Sequence, residues 1–167
     1  MRSLAPMTRT AIAVFVIDQI IKVWVVQIMS LKTVGTILVA PPYLTLRMAW
    51  NEGINFGLFA GAGDAMRWIL IALALGITAW IIIWMRRDRP GVWVQLSAGL
   101  VVGGAIGNVV DRVIYGAVAD FLNMSCCGFE NPWSFNVADI AIFVGAFGLI
   151  LLAGDPPKDR DADAKAG

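Results

Sequence analysis

Two aspartates, Asp120 and Asp139, carry the side chains best suited to hydrolytic chemistry in this sequence. Asp120 lies in the stretch VADF over residues 118–121, after an apolar run has ended, and Asp139 ends the stretch FNVAD, where another apolar run begins. A short connection between the runs can bring both carboxylates to one surface. One ionised carboxylate could then accept a proton from water while the neutral one polarises a peptide carbonyl, because two close carboxylates cannot both ionise cheaply.

The spacing of these two residues does not by itself identify a site. Asp120 could be an ordinary loop acid, and Asp139 could simply interact with the dipole of a helix N-terminus. The rest of the composition favours the aspartate pair, because the 167 residues include no histidine. Ser-His-Asp and Cys-His arrangements are therefore excluded, and zinc sites lose their commonest nitrogen ligand. We predict neither a metal nor a cofactor.

Two other patterns do not indicate a site. The two cysteines, Cys126 and Cys127, are neighbours, so they form no CxxC pair and cannot join distant segments, and we assign them no role. The stretch GAGD over residues 61–64 matches the GxGD signature of another class of intramembrane aspartic protease. That signature requires its aspartate inside a spanning helix, whereas Asp64 precedes an apolar run and is predicted to cap it.

The composition predicts a membrane protein. The chain is 59% hydrophobic and 15% charged, whereas soluble domains carry about 25% charged residues. Four windows are long and apolar enough to span a bilayer, which requires roughly 20 residues: 11–29, 68–85, 92–110 and 137–154. The sequence therefore predicts an all-α membrane protein of four transmembrane helices, with a small extracytoplasmic β-element between helices one and two. Residues 1–154 form a single membrane domain with loops at 30–67 and 111–136, followed by a disordered tail over 155–167.

Lysine and arginine residues predict the orientation of these spans. Eight of them flank one side if the spans alternate: Arg2, Arg9, Arg86, Arg87, Arg89, Lys158, Arg160 and Lys165. Four flank the other: Lys32, Arg47, Arg67 and Arg112. Because cytoplasmic loops carry the excess of basic residues, both termini are predicted to be cytoplasmic. Asp18 and Lys22 interrupt the first apolar run, which favours a retained span over a cleaved signal peptide.

The first extracytoplasmic loop contains an alternating stretch over residues 43–50. If it is a strand, Leu44, Leu46, Met48 and Trp50 share one face. Such an apolar face could rest on lipid, hold an apolar ligand, or pack against the helix ends. The sequence leaves these possibilities open.

Polar residues within the spans require a reason, because ionisable groups in a bilayer are costly. Asp18 and Lys22 are four residues apart on one helix face, and we interpret them as structural support. In the third span, a stripe of small residues permits close approach of another helix: Gly99, Gly103 and Gly107. An adjacent face carries Gly104, Asn108 and Arg112 at four-residue steps, so the last two could orient a carboxylate or hold a substrate carbonyl.

Five motifs in order resemble the lipoprotein signal peptidase (signal peptidase II) family. They are D-x-x-x-K at residues 18–22, N-x-G-x-x-F-G at 51–57, G-x-x-x-N-x-x-D-R at 104–112, and the aspartate motifs at 118–121 and 135–139. The match runs from about Asp18 to the end of the fourth span. Ile54 and Asn55 depart from the small residues usual at those positions.

This resemblance implies an aspartic endopeptidase that cuts bacterial prolipoproteins just before a cysteine already carrying diacylglycerol. It implies that Asp120 and Asp139 are catalytic. Six further residues would support the site or bind substrate: Asn51, Gly53, Gly104, Asn108, Arg112 and Asn136. The expected partners are these lipidated substrates and membrane lipid, not nucleic acid. We expect a monomer in the cytoplasmic (inner) membrane, with the active site near its extracytoplasmic surface.

A small non-catalytic transporter or assembly factor is the alternative. In such a protein Asp18, Lys22, Asp120 and Asp139 would serve a proton or ion path. That function predicts ionisable groups spread across the depth of the membrane, whereas the peptidase predicts that they gather at one surface.

Overall fold

A computed structural model describes residues 3–53 and 63–152 of the chain. The helices are α1 (Ala5–Lys22), which continues as a π-helical stretch over Val23–Ile28, α2 (Leu31–Val34), α3 (Gly63–Asp88), α4 (Val92–Tyr115) and α5 (Val137–Leu152). The strands are β1 (Thr36–Ala40), β2 (Leu44–Asn51) and β3 (Val118–Met124). Three features of the sequence lie outside the described residues: Arg2, residues 54–57 of the second motif, and the predicted tail over 155–167.

Within the described ranges, three helices are long and apolar enough to cross a membrane: Ala5–Ile28, Asp64–Asp88 and Val92–Tyr115. Their bounds correspond to the first three predicted windows, extended by up to about two turns. The fourth window contains α5, which is apolar but has only 16 described residues. At a rise of about 1.5 Å per residue these span roughly 24 Å, less than the hydrocarbon thickness of about 30 Å.

Helix α4 lies at the centre of the bundle because its glycines let both neighbours approach closely. A Cβ atom at Gly99 or Gly103 would lie 2.6 or 2.5 Å from a backbone carbonyl oxygen of α1. A Cβ atom at Gly107 would lie 2.7 Å from the Asp18 carboxylate. The predicted small-residue stripe is thus confirmed as the contact with α1. Gly104 allows α5 to approach α4 in the same way, since a Cβ atom there would lie 2.5 Å from the Ala138 carbonyl oxygen.

The helix ends next to Arg9, Arg86, Arg87 and Arg89 lie together. Met7 of α1, Met85 of α3 and Val94 of α4 share one buried cluster, and Leu149 of α5 packs against it. The start of α1, the end of α3, the start of α4 and the end of α5 therefore lie at one end of the bundle, called the basic end below. The sheet covers the other end, where Leu46 and Phe121 pack with Val25 of the π-helical stretch.

The predicted β-element between the first two long helices is present as β1 and β2, but the sheet is larger than predicted. It has three antiparallel strands in the order β1-β2-β3, and β3 comes from the second loop, where no strand was predicted. Asp120 therefore lies on a strand and not in a loop. Residues 118–124 adopt this conformation because β2 supplies their backbone partners, with Ala49 opposite Asp120 and Asn51 opposite Val118.

The prediction of one continuous apolar face on β2 is wrong. A bulge between Leu46 and Ala49 inserts one extra residue into β2, which interrupts the alternation of side chains. Leu46 is buried against the helix ends, whereas Trp50 is exposed, with its ring centroid 5.6 Å from that of Tyr115. The bulge also sets the register that places Asn51 diagonally across from Asp120.

Candidate active site

Asp120 is fixed by two carboxamides. Its side chain is buried, with 3% exposure. Asn51 on the neighbouring strand donates from Nδ2 to Asp120 Oδ2 at 3.0 Å, and Asn136 donates from Nδ2 to Asp120 Oδ1 at 2.6 Å. Gly53 holds the Asn51 side chain, since its backbone N–H donates to Asn51 Oδ1 at 3.0 Å. Gly53 has φ of 108°, a conformation that favours glycine.

Asp139 lies in the first turn of α5 and completes a reciprocal cap with Asn136. The Asp139 backbone N–H donates to Asn136 Oδ1 at 2.9 Å, and the Asn136 backbone N–H donates to Asp139 Oδ2 at 3.2 Å. This arrangement satisfies backbone donors that a helix start otherwise leaves unpaired. Asn108 of α4 donates from Nδ2 to Asp139 Oδ1 at 2.8 Å. The half-buried carboxylate is therefore held in one orientation.

Asn136 joins the two aspartates. It contacts Asp120 through its side chain and Asp139 through its backbone, and its Nδ2 also lies 3.3 Å from Asn108 Oδ1. Two residues 19 positions apart in sequence thus contact the same asparagine. The sequence motifs that suggested a pair are brought to one site.

The environment of Asp120 raises its pKa to about 6. Burial is the largest cause, and the nearby carboxylate of Asp139 adds to it. Hydrogen bonds from Asn51 and Asn136, and the positive charge of Lys22, act in the opposite direction. Asp120 is therefore a carboxyl group that retains its proton well above the usual range of an aspartic acid.

A buried ion cluster lies beneath the two aspartates. Lys22 Nζ contacts Asp18 Oδ2 at 2.8 Å and Asp111 Oδ2 at 2.7 Å, and it donates to Asn108 Oδ1 at 3.4 Å. Gln19 Nε2 lies 3.2 Å from both Asp18 and Asp111. Asp18 and Lys22 therefore pair as the sequence suggested, but the pair extends to a third charged residue.

The two carboxylates of this cluster also hold the segments that carry the candidate catalytic residues. Asp18 Oδ1 accepts the Ala138 N–H at 3.0 Å, next to Asp139. Asp111 Oδ2 accepts the Ala119 N–H at 3.2 Å, next to Asp120. The sequence placed Asp111 in the motif at residues 104–112 but did not predict its contact with Lys22. Its position three residues after Asn108, on a helix face that already carried polar groups, was the available signal.

Arg112 lies beside the site without pairing to either aspartate. Its Nη1 donates to the backbone oxygen of Asn108 at 3.4 Å, and its buried Nε has no hydrogen-bond partner among the described residues. The charges of Asp139, Asp120 and Asp111 all act on its guanidinium group. Gly104 does not line the site. It lies at the contact between α4 and α5.

Two further predictions concern residues outside the site. Asp64 is exposed in the first turn of α3, which begins one residue earlier, at Gly63. Cys126 and Cys127 are exposed free thiols in the second loop. Over residues 3–53 and 63–152 no group of three or more histidine, cysteine or acidic side chains could hold a metal ion.

The family model and the curated relatives agree on one family. The model of the family described as "Signal peptidase (SPase) II" matches residues 10–153. A lipoprotein signal peptidase from Methylobacterium sp. (strain 4-46) is 40% identical over 151 residues, which cover 90% of each chain. One from Methylobacterium radiotolerans is 43% identical over 126 residues, covering 74% of this chain and 72% of that protein. A solved bacterial membrane enzyme shares the fold, with a TM-score of 0.77 over 95% of this chain and 96% of that one, at 24% identity.

Proposed function

The chain belongs to the signal peptidase II family, and from that premise we propose that it removes the signal peptide from prolipoproteins by aspartic catalysis at Asp120 and Asp139. It is a peptidase and a multi-pass bacterial membrane protein. The observation that supports the aspartic mechanism is that one residue, Asn136, contacts both carboxyl groups, so that a single water could reach the two.

In this mechanism the two carboxyl groups have different roles. Asp139 is held by N–H donors from Asn108 and Asn136, which suit a carboxylate that accepts a proton from the attacking water. Asp120 carries the shared proton and donates it to the scissile carbonyl oxygen as the water oxygen attacks the carbon. When the C–N bond breaks, Asp139 passes the proton it took from water to the leaving nitrogen, and one hydroxyl of the tetrahedral intermediate returns a proton to Asp120, which leaves the new carboxyl group and restores the dyad. Arg112, whose Nε has no partner within residues 3–53 and 63–152, is suited to holding a substrate carbonyl near the dyad.

The substrate is a prolipoprotein whose cysteine already carries diacylglycerol, and the bond before that cysteine is cut. Exposed aromatic rings of Trp50 and Tyr115 lie at the sheet end of the bundle and offer an apolar surface for such a chain. Purified protein in detergent should convert a lipidated precursor to a product that begins at the modified cysteine, as read by mass spectrometry. A precursor that lacks the lipid should remain uncut, and cleavage of both at equal rates would contradict this substrate class.

A transporter or assembly factor is less well supported. Within the described residues, the buried ionisable side chains are Asp18, Lys22, Asp111 and Asp120. All four belong to the hydrogen-bonded network at the sheet end of the bundle. An ion path would need such groups at other depths as well.

We propose that α5 is the fourth span, with both termini in the cytoplasm and the dyad near the extracytoplasmic surface of the inner membrane. Helix α5 packs along α4 from Gly104 at one end to Ser97 at the other, and its outer face exposes large apolar side chains, among them Phe143 and Ile150. The basic end contains Arg9, Arg86, Arg87 and Arg89, which favours the cytoplasm. The chain acts as a single membrane domain and a monomer.

Reporter fusions test this orientation. A reporter that is active only outside the cytoplasm should be active when fused after Phe129 and inactive when fused after Arg87, because α4 crosses the membrane between these points. Each fusion is compared with a reporter that is active only inside the cytoplasm, which should give the reverse pattern. Activity of the first reporter after Arg87 would invert the topology.

The pKa of Asp120 predicts a pH dependence of kcat/KM, which reports the free enzyme. Because Asp120 must be protonated to polarise the carbonyl, kcat/KM should fall about tenfold per pH unit above roughly pH 6. Substrate that expels water raises the pKa further, and kcat should therefore fall at a higher pH than kcat/KM.

Melting temperatures measured over the same pH range provide the control. The raised pKa means that the folded protein binds the proton more tightly than the unfolded chain, so Asp120 contributes stability that is full below pH 3.8 and is lost as the pH rises to about 6. Above about pH 6 this group no longer changes stability, so a melting temperature that stays constant there would show that a fall in activity is not caused by unfolding. A value of kcat/KM that rises from pH 6 to 8 would contradict the assignment of Asp120 as the acid.

A further inference from the structure

The outer face of α3 carries a continuous stripe that no part of the peptidase site uses. Five residues at steps of four, three, four and three share this face: Leu73, Ile77, Trp80, Trp84 and Arg87. Toward the basic end the stripe becomes a groove of about 380 Å³, lined by Trp80, Ile83, Trp84, Arg87 and Asp88. We refer to the five residues as the α3 stripe.

The aromatic part of the stripe forms a flat wall. The rings of Trp80 and Trp84 are stacked, with centroids 5.8 Å apart and an interplanar angle of 27°. Trp84 is half-buried and packs against the apolar cluster at the basic end, whereas Trp80 is 63% exposed. The wall is therefore anchored on one side and open to a ligand on the other. Leu73 and Ile77 extend the wall as an exposed aliphatic surface toward the middle of α3.

The C-terminal end of the α3 stripe is strongly positive. Arg86, Arg87 and Arg89 follow the tryptophans within one turn or so, and Asp88 is the acidic residue among them. The side chain of Arg87 is 87% exposed, and its Nε lies 3.9 Å from Asp88 Oδ1, too far for a hydrogen bond. An arginine in this state presents its guanidinium group to an anion, and guanidinium binds phosphate through paired N–H donors.

The length of the stripe matches one lipid in one leaflet. From Leu73 to Arg87 there are 14 residue steps, or roughly 21 Å along a helix. Half of the hydrocarbon core is about 15 Å thick, which leaves several ångströms for the ester and phosphate groups. Arg87 then lies at phosphate depth, and Trp84, about 4–5 Å deeper, lies at the ester level, where its N–H group finds an acceptor. Trp80, about 10 Å below Arg87, contacts the first methylenes of an acyl chain, and Ile77 and Leu73 contact the rest of that chain.

We propose that the α3 stripe binds one anionic phospholipid of the leaflet at the basic end, with its phosphate at Arg87, its ester groups at Trp84 and its first methylenes on Trp80. The match of charge, aromatic wall and aliphatic run along one helix face selects this occupant. The site lies at the opposite end of the bundle from the dyad, so it does not depend on the peptidase mechanism.

Competition between two lipids tests the proposal. The purified full chain in a zwitterionic detergent is mixed with equal amounts of dioleoyl phosphatidylglycerol and dioleoyl phosphatidylcholine, and bound lipid is counted by native mass spectrometry. The wild-type chain should retain the anionic lipid in clear excess. Arg87→Gln should reduce that excess about fivefold, the contribution of one basic residue at a membrane surface. Arg87→Lys should keep most of it, and Trp80→Leu should reduce retention of the anionic lipid.

Arg47→Gln is the matched control, because Arg47 is an exposed arginine on β2 at the other end of the bundle. It should leave the lipid ratio unchanged. Equal retention of both lipids by the wild-type chain would mean ordinary lipid contact and would overturn the proposal. So would an unchanged ratio in Arg87→Gln, or an equal loss in Arg47→Gln. Cleavage of prolipoprotein by Arg87→Gln at the wild-type rate in detergent confirms that the variant is folded.

Discussion

Asp120→Asn and Asp139→Asn are each expected to lower the rate of prolipoprotein cleavage by about 10³-fold or more, since each removes a group that transfers a proton in the transition state. An asparagine has the size of an aspartate and keeps one of the two hydrogen bonds that each aspartate accepts, because its amide oxygen accepts whereas its NH2 group only donates. The variants should therefore insert and fold. The measurement is the single-turnover rate on a purified lipidated precursor, together with the melting temperature of each variant.

Asp64→Asn is the matched control for these two substitutions. Asp64 is exposed in the first turn of α3, and asparagine is also favoured at a helix start. This variant should keep most of its activity. An inactive Asp64→Asn beside an active Asp120→Asn would reverse the assignment of the site. If both dyad variants kept activity within a few-fold of wild type, aspartic catalysis at this pair would be wrong.

The sequence predicted those parts of the fold that depend on local pattern. Apolar windows located α1, α3 and α4, and the four-residue spacing of Gly99, Gly103 and Gly107 located the contact between α4 and α1. Both features are readable because each lies on one helix, where the period of the chain fixes which residues share a face. The motifs at Asp120 and Asp139 likewise identified the two residues that Asn136 joins.

What the sequence did not predict depends on pairing between distant segments. Strand β3 exists because β2 lies beside it, and Asn51 reaches Asp120 across 69 positions of sequence. Residues 118–124 alone are short and carry a charge, so their pattern reads equally well as a loop. The bulge in β2 was also invisible, because one extra residue changes the register against a partner without changing the alternation of residue types.

The buried ion cluster also depends on a contact between distant segments that the sequence did not predict. The spacing of Asp18 and Lys22 on one helix is enough to predict their ion pair. That pair has no net charge, so nothing in it indicates a third charged residue. Asp111 comes from α4, and its approach to 2.7 Å of Lys22 makes the cluster one positive and two negative groups. The excess negative charge is offset by hydrogen bonds from the Ala138 and Ala119 N–H groups and from Gln19. The cluster therefore joins α1 to both segments that carry the dyad.

Lys22→Met is expected to destabilise the protein and to lower cleavage by about 100-fold. Without Lys22 two buried carboxylates lose their cation, which typically costs about 3–5 kcal/mol. Asn108 Oδ1 also loses a donor that keeps its Nδ2 directed at Asp139, and a small misplacement of a catalytic group can cost about 100-fold in rate. Lys32→Met, at an exposed lysine, is the control and should change neither property.

A second substitution separates the two effects of Lys22. Adding Asp111→Asn to Lys22→Met removes one of the uncompensated carboxylates, so part of the lost melting temperature should return. Activity should not return, because Asn108 Oδ1 keeps the hydrogen bond from Asn136 but still lacks the one from Lys22. The charge of Lys22 lowers the pKa of Asp120, so the residual kcat/KM of Lys22→Met should fall at a higher pH than that of the wild type. If the double variant recovered activity in proportion to its stability, or if the pH profile did not move, Lys22 would serve the fold alone and would not position the dyad.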